Sequence, residues 1–239
     1  MENPTYIALS NQMAMQRQMD VVANNLANMS TPAFKGERMM FAQYLVQPAG
    51  SSPLAFVQDV GTTRDTRQGP ITKTGNTLDL ALQGSGYFAI ETPLGTRYTR
   101  NGHFQLDAQG QVVTSQGYAL QGDGGRPITV PTNAADITVG ADGTISAGQG
   151  PVGKVQIVDF AQPQGLAAGA NGLYVTDQTP TPTAQATIVQ GAIEESNVQP
   201  IVEITRLLAV SRSSSMVKSF LDAENSRQSN AIDKLSKVS

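Results

Sequence analysis

Few residues in this 239-residue chain could do chemistry, and their spacing argues against most of it. His103, in "NGHF", is the only histidine, and there is no cysteine, so a transition-metal site or a Ser-His-Asp triad has almost nothing to build on. A solvated loop imidazole is the expectation. Glu194 and Glu195 are adjacent, but neighbours in a strand point to opposite faces, so they should not form an acid–base pair. Asp79 and Asp107 remain as a pair that a hydrolase could draw from distant positions. "GDGG" at 122–125 lacks a following helix pattern and a P-loop lysine, which makes it a turn rather than a phosphate cradle. A copper site in the methionine-rich start is a further option, but the 4-3-4 spacing there is that of a packing seam. No catalytic constellation, metal set or cofactor motif emerges, so no enzyme activity and no cofactor is expected.

The elements that would position these residues are helical at the ends and β in the middle. Met15, Met19, Val22, Leu26 and Met29 follow 4-3-4-3 spacing, the mark of an a/d seam. Pro32 disfavours the α conformation in Thr31, so this helix should end within 28–31. Leu207, Val210, Ser214, Val217, Leu221, Glu224, Gln228, Ala231, Leu235 and Val238 repeat the rhythm near the C-terminus. Ser196 and Asn197 offer caps there, Pro200 suits a first turn, and Glu203 suits the positive end. A helix over about 198–235 would be roughly 55 Å long, which points to a coiled coil.

Between the helices, "LDLAL" at 78–82 alternates apolar and polar residues, and "GYFAIE", "KVQIVDF" and "ATIVQG" read as strands. Turns are expected at Asn101-Gly102, at 108–110 and at Asp142-Gly143. "TPTPT" at 179–183 fits only an edge or a connector. Met39, Met40, Phe41, Tyr44 and Leu45 read as a short helix. The predicted fold is α+β: long terminal helices paired as a coiled coil, with a mostly antiparallel β domain inserted between them. Its parts are an N-terminal helix (1–35), an extended or short-helix connector (36–68), a β-rich domain (69–190) and a C-terminal helix (191–239).

Composition limits the partners. Charged residues are 15% and the net charge is -3, with no basic cluster, so no nucleic-acid surface is expected. No apolar run is long enough to span a membrane, and "MENPTYIALSNQ" has no signal-peptide pattern. From Asn3 to Thr31 the only charges are Arg17 and Asp20. The polar positions are instead Ser10, Asn11, Gln12, Gln16, Gln18, Asn24, Asn25 and Asn28. Uncharged amides can be buried when they are hydrogen-bonded. The face opposite the seam is therefore expected to pack as well, against other subunits.

The segment "MDVVANNLANMSTPAFKGERMMF" resembles the N-terminal motif of the flagellar axial proteins, the rod and hook family, with its A-N-N-L-A-N and T-x-G-F-K patterns. "TGNTLDLALQGSGYFAI", "RYTRNGHFQLDAQGQVVTSQGY" and "GAIEESNVQPIVEITRLLAVSR" resemble that family's central and C-terminal motifs, in order and over nearly the whole chain. "LAFVQDVGTTRDTRQGPITKTGN" and the length are most similar to the proximal part of the rod. Ala33 stands where the family pattern has glycine, which argues against a positive φ there. Ser213-Ser214 replace the commoner aromatic and acidic pair after Arg212, which implies weaker contacts at that point.

The resemblance implies a structural subunit of the basal-body rod, the shaft that transmits torque across the periplasm. It implies terminal helices packed around a central channel and a β domain outside them. It implies partners: copies of itself, other proximal rod subunits, the distal rod protein and the flagellar type III export apparatus, through which such chains leave without a cleavable signal peptide. Subunit and helix packing is assigned to Met15, Met19, Val22, Asn24, Asn25, Leu26, Asn28, Met29, Phe34, Leu207, Val210, Val217, Leu221, Ala231, Leu235 and Val238. Two other classes compete with this reading. One is a secreted oligomeric binding module whose β domain recognises a periplasmic glycan or protein. The other is a hydrolase built on Asp79 and Asp107.

Overall fold

The first helix, α1 (Asn3–Ala27), stops where the proline requires. Thr31 N donates to Asn28 O at 3.1 Å, which closes a turn rather than a further helical step. The structure is a computed structural model that describes residues 3–46, 54–131, 136–148, 150–183 and 185–236. The chain forms two compact units. Unit 1 comprises Met1–Ala27, Glu37–Asp65 and Gln199–Ser239; unit 2 comprises Asn28–Gly36 and Thr66–Val198. The class is α+β, and every strand pair among the described residues is antiparallel.

Unit 1 holds α1, a hairpin of β1 (Glu37–Val46) and β2 (Leu54–Arg64), and the 37-residue α2 (Pro200–Ser236). The short helix expected around Met39, Met40, Phe41, Tyr44 and Leu45 is instead strand β1. A brief apolar run does not distinguish helix from strand by periodicity, and here β2 supplies the ladder partner. The hairpin bulges between Met40 and Phe41, where Met40 faces Gly61 and Phe41 faces Asp59. The extra residue, Val60, is left exposed.

Helix α2 begins at Pro200, and Glu203 N donates to Gln199 O at 3.1 Å. The expected caps serve elsewhere: Ser196 Oγ accepts from Val198 N, and Asn197 Oδ1 accepts from Gly36 N. Along α2 the buried or half-buried positions include Glu203, Leu207, Val210, Ser214, Val217, Leu221 and Glu224, in 4-3 spacing. Beyond Glu224 every described side chain is exposed. Helices α1 and α2 pack against each other. Asn25, in the last turn of α1, bonds Glu203, in the first turn of α2, so the helices run antiparallel.

Unit 2 carries β3 (Ile71–Lys73), β4 (Leu80–Gln83), β5 (Tyr87–Thr92), β6 (Gly95–Thr99), β7 (Phe104–Leu106), β8 (Val112–Thr114) and β9 (Ala119–Leu120). It continues through β10 (Ile137–Val139), β11 (Thr144–Ala147), β12 (Gly150–Lys154), β13 (Ile157–Asp159) and β14 (Ala167–Ala168). The last strands are β15 (Tyr174–Val175), β16 (Thr181–Pro182), β17 (Thr187–Gln190) and β18 (Ala192–Glu194). The main sheet runs β14-β15-β6-β5-β9-β8-β7, with β13 also on β5 and the Pro-containing β16 at an edge. Strand β5 is covered on both faces. Phe88 and Ile90 enter the larger core with Leu80, Leu82, Phe104 and Ile145. Ala89 and Tyr87 face the smaller core of Tyr98, Phe160 and Tyr174.

The Asn101-Gly102 pair does not close a hairpin: β6 pairs with β5 and β15, and β7 with β8. Glycine is needed at 102 because a Cβ there would lie 1.6 Å from Leu80 O. The run 78–82 is buried throughout rather than alternating, Asp79 and Ala81 included, and only Gln83 at the end of β4 is exposed.

Candidate assembly site

One amide of α1, Asn25, has its partner inside the chain, on the side of the seam residue Val22 and not on the face expected to meet other subunits. Asn25 is buried, and its side chain acts as a short ladder rung for the hairpin. Its Nδ2 donates to Glu37 O at 2.8 Å, and its Oδ1 accepts from Glu37 N at 2.9 Å. The same Nδ2 reaches Glu203 Oε2 at 3.4 Å, while Arg206 Nη1 donates to Glu203 Oε1 at 2.6 Å. One asparagine thus ties α1, β1 and α2 together, and its buried amide is satisfied. Asn24 is exposed, and Asn28 lies past the helix end, where it accepts from Thr31 Oγ1 at 3.2 Å.

The other assigned positions divide by exposure. Val22 and Val210 are buried. Met15, Met19, Leu26, Phe34, Leu207, Val217 and Leu221 are half-buried. Met29 and Ala231 are exposed, Leu235 has its side chain outside the described residues, and Val238 lies outside them altogether.

Opposite this seam both helices carry exposed apolar side chains. Met13 precedes Val22 by nine residues, about two and a half helical turns, and so points the other way. Tyr6, Leu9 and Met13 follow 3-4 spacing, and all three are exposed. Ile201 precedes Val210 by the same nine residues and is 81% exposed. Ile204 and Leu208 share that side of α2, while Met216 and Phe220 are exposed on its flank, one residue before the seam positions Val217 and Leu221. Apolar rows of this kind on a helix mark an interaction surface.

Unit 2 contains an ionic cluster that the sequence did not reveal. Glu194 is wholly buried on β18. Its Oε1 accepts from Lys35 Nζ and from Gly69 N, and its Oε2 accepts from Arg100 Nε at 3.0 Å and Nη2 at 2.8 Å. Arg100 spends its remaining N–H groups on the carbonyls of Leu82, Gly84 and Gly86. Lys35 Nζ also donates to Arg67 O at 2.8 Å. Glycine is required at 69, since a Cβ there would lie 2.1 Å from Glu195 O. Lys35, Arg100 and Glu194 belong to three separate quoted motifs, "STPAFK", "RYTRNGHF" and "GAIEESNV". No local pattern in these motifs separates Arg100 from Arg97 or Glu194 from Glu195. A cleft of about 480 Å³ opens beside the cluster, but all five Arg100 donors are used within the chain.

Ala33 completes this region. It has φ +58 and is buried, and its N–H donates to Glu194 O at 2.8 Å. The left-handed conformation is therefore present without glycine, which corrects the expectation drawn from the alanine. Phe34 O accepts from Asn197 N, so residues 33–36 and 194–197 are stitched together.

The remaining candidates hold turns. The Asp79 carboxylate accepts from Thr74 Oγ1 at 2.6 Å and Asn76 Nδ2 at 3.1 Å, and contacts His103 Nδ1 at 2.7 Å. The half-exposed His103 is thus tied to a structural carboxylate rather than left as a solvated loop imidazole. Asp107 Oδ1 caps its own turn through Gln109 N and Gln111 N. Glu194 is buried and Glu195 exposed, as opposite strand faces require.

Comparison with known proteins agrees with this architecture. The profile described as "Flagella basal body rod protein" matches residues 6–35, and the one for "Flagellar hook protein FlgE/F/G D1 domain" matches residues 81–147. The flagellar basal-body rod protein FlgF of Caulobacter vibrioides is 39% identical over all of both chains. The chain belongs to the flagellar basal-body rod protein family. FlgF of Mesorhizobium japonicum is 34% identical over 89% of each chain. FlgG of Caulobacter vibrioides, a second branch of the rod family, is 35% identical over 87% of this chain and 90% of its own. Membership makes this a structural rod protein and not an enzyme. The hydrolase reading of Asp79 and Asp107 falls with it.

Proposed function

We propose that this rod-family chain polymerises with copies of itself and with other rod subunits, proximal and distal, into the shaft that carries torque across the periplasm. It reaches the growing rod through the flagellar type III export apparatus. The terminal helices pair as a coiled coil on the seam that holds Val22 and Val210, and Asn24, Asn28, Met29 and Ala231 face neighbours. One observation carries the proposal: the exposed apolar rows on α1 and α2 lie opposite the seam the two helices share. A helix with apolar residues on both faces is stable only when both are covered. Contacts that repeat without closing produce a helical polymer.

The test is a Leu9→Ser/Ile201→Ser variant expressed in a strain lacking the native chain. Both residues are exposed, so the melting of the isolated subunit should be unchanged. Completed rods, counted by electron microscopy, should be nearly absent. Wild-type rod counts would overturn the proposal.

A further inference from the structure

Seven of the eight methionines lie within the first 40 residues. Met15 and Met19 are half-buried along α1. Met13 is 57% exposed, and Met216 on α2 is 70% exposed. Each extends an exposed apolar row: Met13 follows Leu9 by four residues, and Met216 precedes Phe220 by four. Apart from its terminal carbons, the reactive group of each is a soft thioether that oxidants reach directly.

We propose that Met13 and Met216 are oxidation sites, and that their sulfoxides disable the subunit for assembly. The inference rests on the assembly reading above. The oxidant is hydrogen peroxide. One peroxide oxygen transfers to the sulfur: the S–O bond forms, the O–O bond breaks and water leaves. The thioether is oxidised and the peroxide reduced. The product replaces an apolar side chain by a polar, strongly accepting one within an exposed apolar row. In the polymer those rows are covered, so the sensitivity belongs to the subunit before incorporation. Met15 and Met19 are screened by the helix pair even in the free subunit.

Two measurements decide it. The purified full chain is exposed to hydrogen peroxide and followed by peptide mass spectrometry. Met13 and Met216 should gain oxygen at least about threefold faster than Met15 and Met19. Met40, exposed on the hairpin, should also react, and serves as an exposed position off the helix faces. In the strain lacking the native chain, Met13→Gln/Met216→Gln places a neutral polar side chain of similar length at both sites. It should cut rod counts to about a tenth or less. Met13→Leu/Met216→Leu and Met40→Gln should build rods as the wild type does.

Equal oxidation rates at all four helical methionines would overturn the proposal. So would wild-type rods in the double Gln variant, or an equal defect in the double Leu variant. The Leu9→Ser/Ile201→Ser variant separates the two readings. If it builds normal rods, the assembly reading fails and this inference with it. If it builds none while the double Gln variant does, the methionine inference alone fails.

Discussion

Among the described residues, Phe88, Phe104, Leu80, Leu82, Ile90 and the other large apolar side chains that are fully buried lie in unit 2, whereas those of unit 1 that are apolar and buried are Ala8, Ala14, Val22 and Val210. Full burial of a Leu, Ile or Phe side chain contributes about 1.5–3 kcal/mol. Unit 2 gathers these side chains into two clusters and so has a core of its own. Unit 1 spends 37 residues on α2, and past Glu224 that helix buries no described side chain. One unit is finished as a folding problem and the other awaits partners. Amide hydrogen exchange on the dilute subunit should show it, with strong protection in the strands of unit 2 and lower but measurable protection in α1 and α2, where the two helices pair. Equal protection in both would break the comparison.

The largest single effect should come from the polar part of unit 2. Glu194→Ala leaves Lys35 and Arg100 buried without their carboxylate. Removing one partner of a buried ionic group costs about 3–5 kcal/mol. Urea unfolding followed by the tyrosine signal of unit 2 should report that loss, while Glu195→Ala, one residue away and exposed, should change little. Similar midpoints for the two variants would show that the cluster is not what holds residues 33–36 to 194–197.

Asn25→Ala should be the next largest change, and it falls on unit 1. It strands Glu37 N–H and C=O and removes a neighbour of Glu203, at a cost of about 1–3 kcal/mol. Exchange protection of α1 and β1 should drop together, with the strands of unit 2 unaffected. A drop confined to α1 would mean that the ladder rung to Glu37 contributes nothing. Ala33→Gly should act in the opposite direction. Leaving a left-handed alanine recovers about 1–2 kcal/mol, and the freer unfolded chain takes back about 0.4–1 kcal/mol. Unit 2 should gain roughly 0.5 kcal/mol by the same urea measurement. A loss of more than about 1 kcal/mol would show that the buried Cβ outweighs its strained backbone.

The helices were legible because a 3.6-residue period leaves a direct trace. The 4-3 spacing of Leu207, Val210, Val217 and Leu221 matches their lower exposure, and Pro32 and Pro200 bound the helices. The strands of the β region were legible through turn residues, as at Asp142-Gly143. The hairpin of unit 1 was not, because the apolar run of β1 fits either period. The amides were legible as a puzzle, but only geometry showed that Asn25 answers to Glu37 and Glu203. Lys35, Arg100 and Glu194 lie in three motifs far apart in sequence, and no local pattern encodes their meeting. Met13 was hidden by its neighbours: Met15 and Met19 fit the seam, and the exposed residue between turns looked like part of the same cluster.

The smallest effect should be a titration on the part of α2 that has no cover. Arg227 donates two hydrogen bonds to the Glu224 carboxylate, at 2.6 and 2.8 Å, and Gln228 adds one at 3.2 Å. These bonds favour the charged form, the Arg227 pair first, and hold the carboxyl at about 2 against an ordinary value of 4.5. Because the folded value is the lower one, the stabilisation is fully present above pH 4.5 and is lost as pH falls towards 2. Arg227 is exposed and Glu224 is half-buried where the covered stretch of α2 ends, so solvent screens the pair and its loss should fray the last turns of α2 rather than unfold the unit. A carbon-detected NMR titration of the Glu224 carboxyl should show a midpoint well below the ordinary 4.5, with helical circular dichroism declining slightly over the same range. Arg227→Gln should move that midpoint back towards 4.5 and remove the acid-dependent fraying. If the midpoint stayed near 2 in that variant, the shift would come from another source, and the end of α2 would have more support than its exposed residues provide.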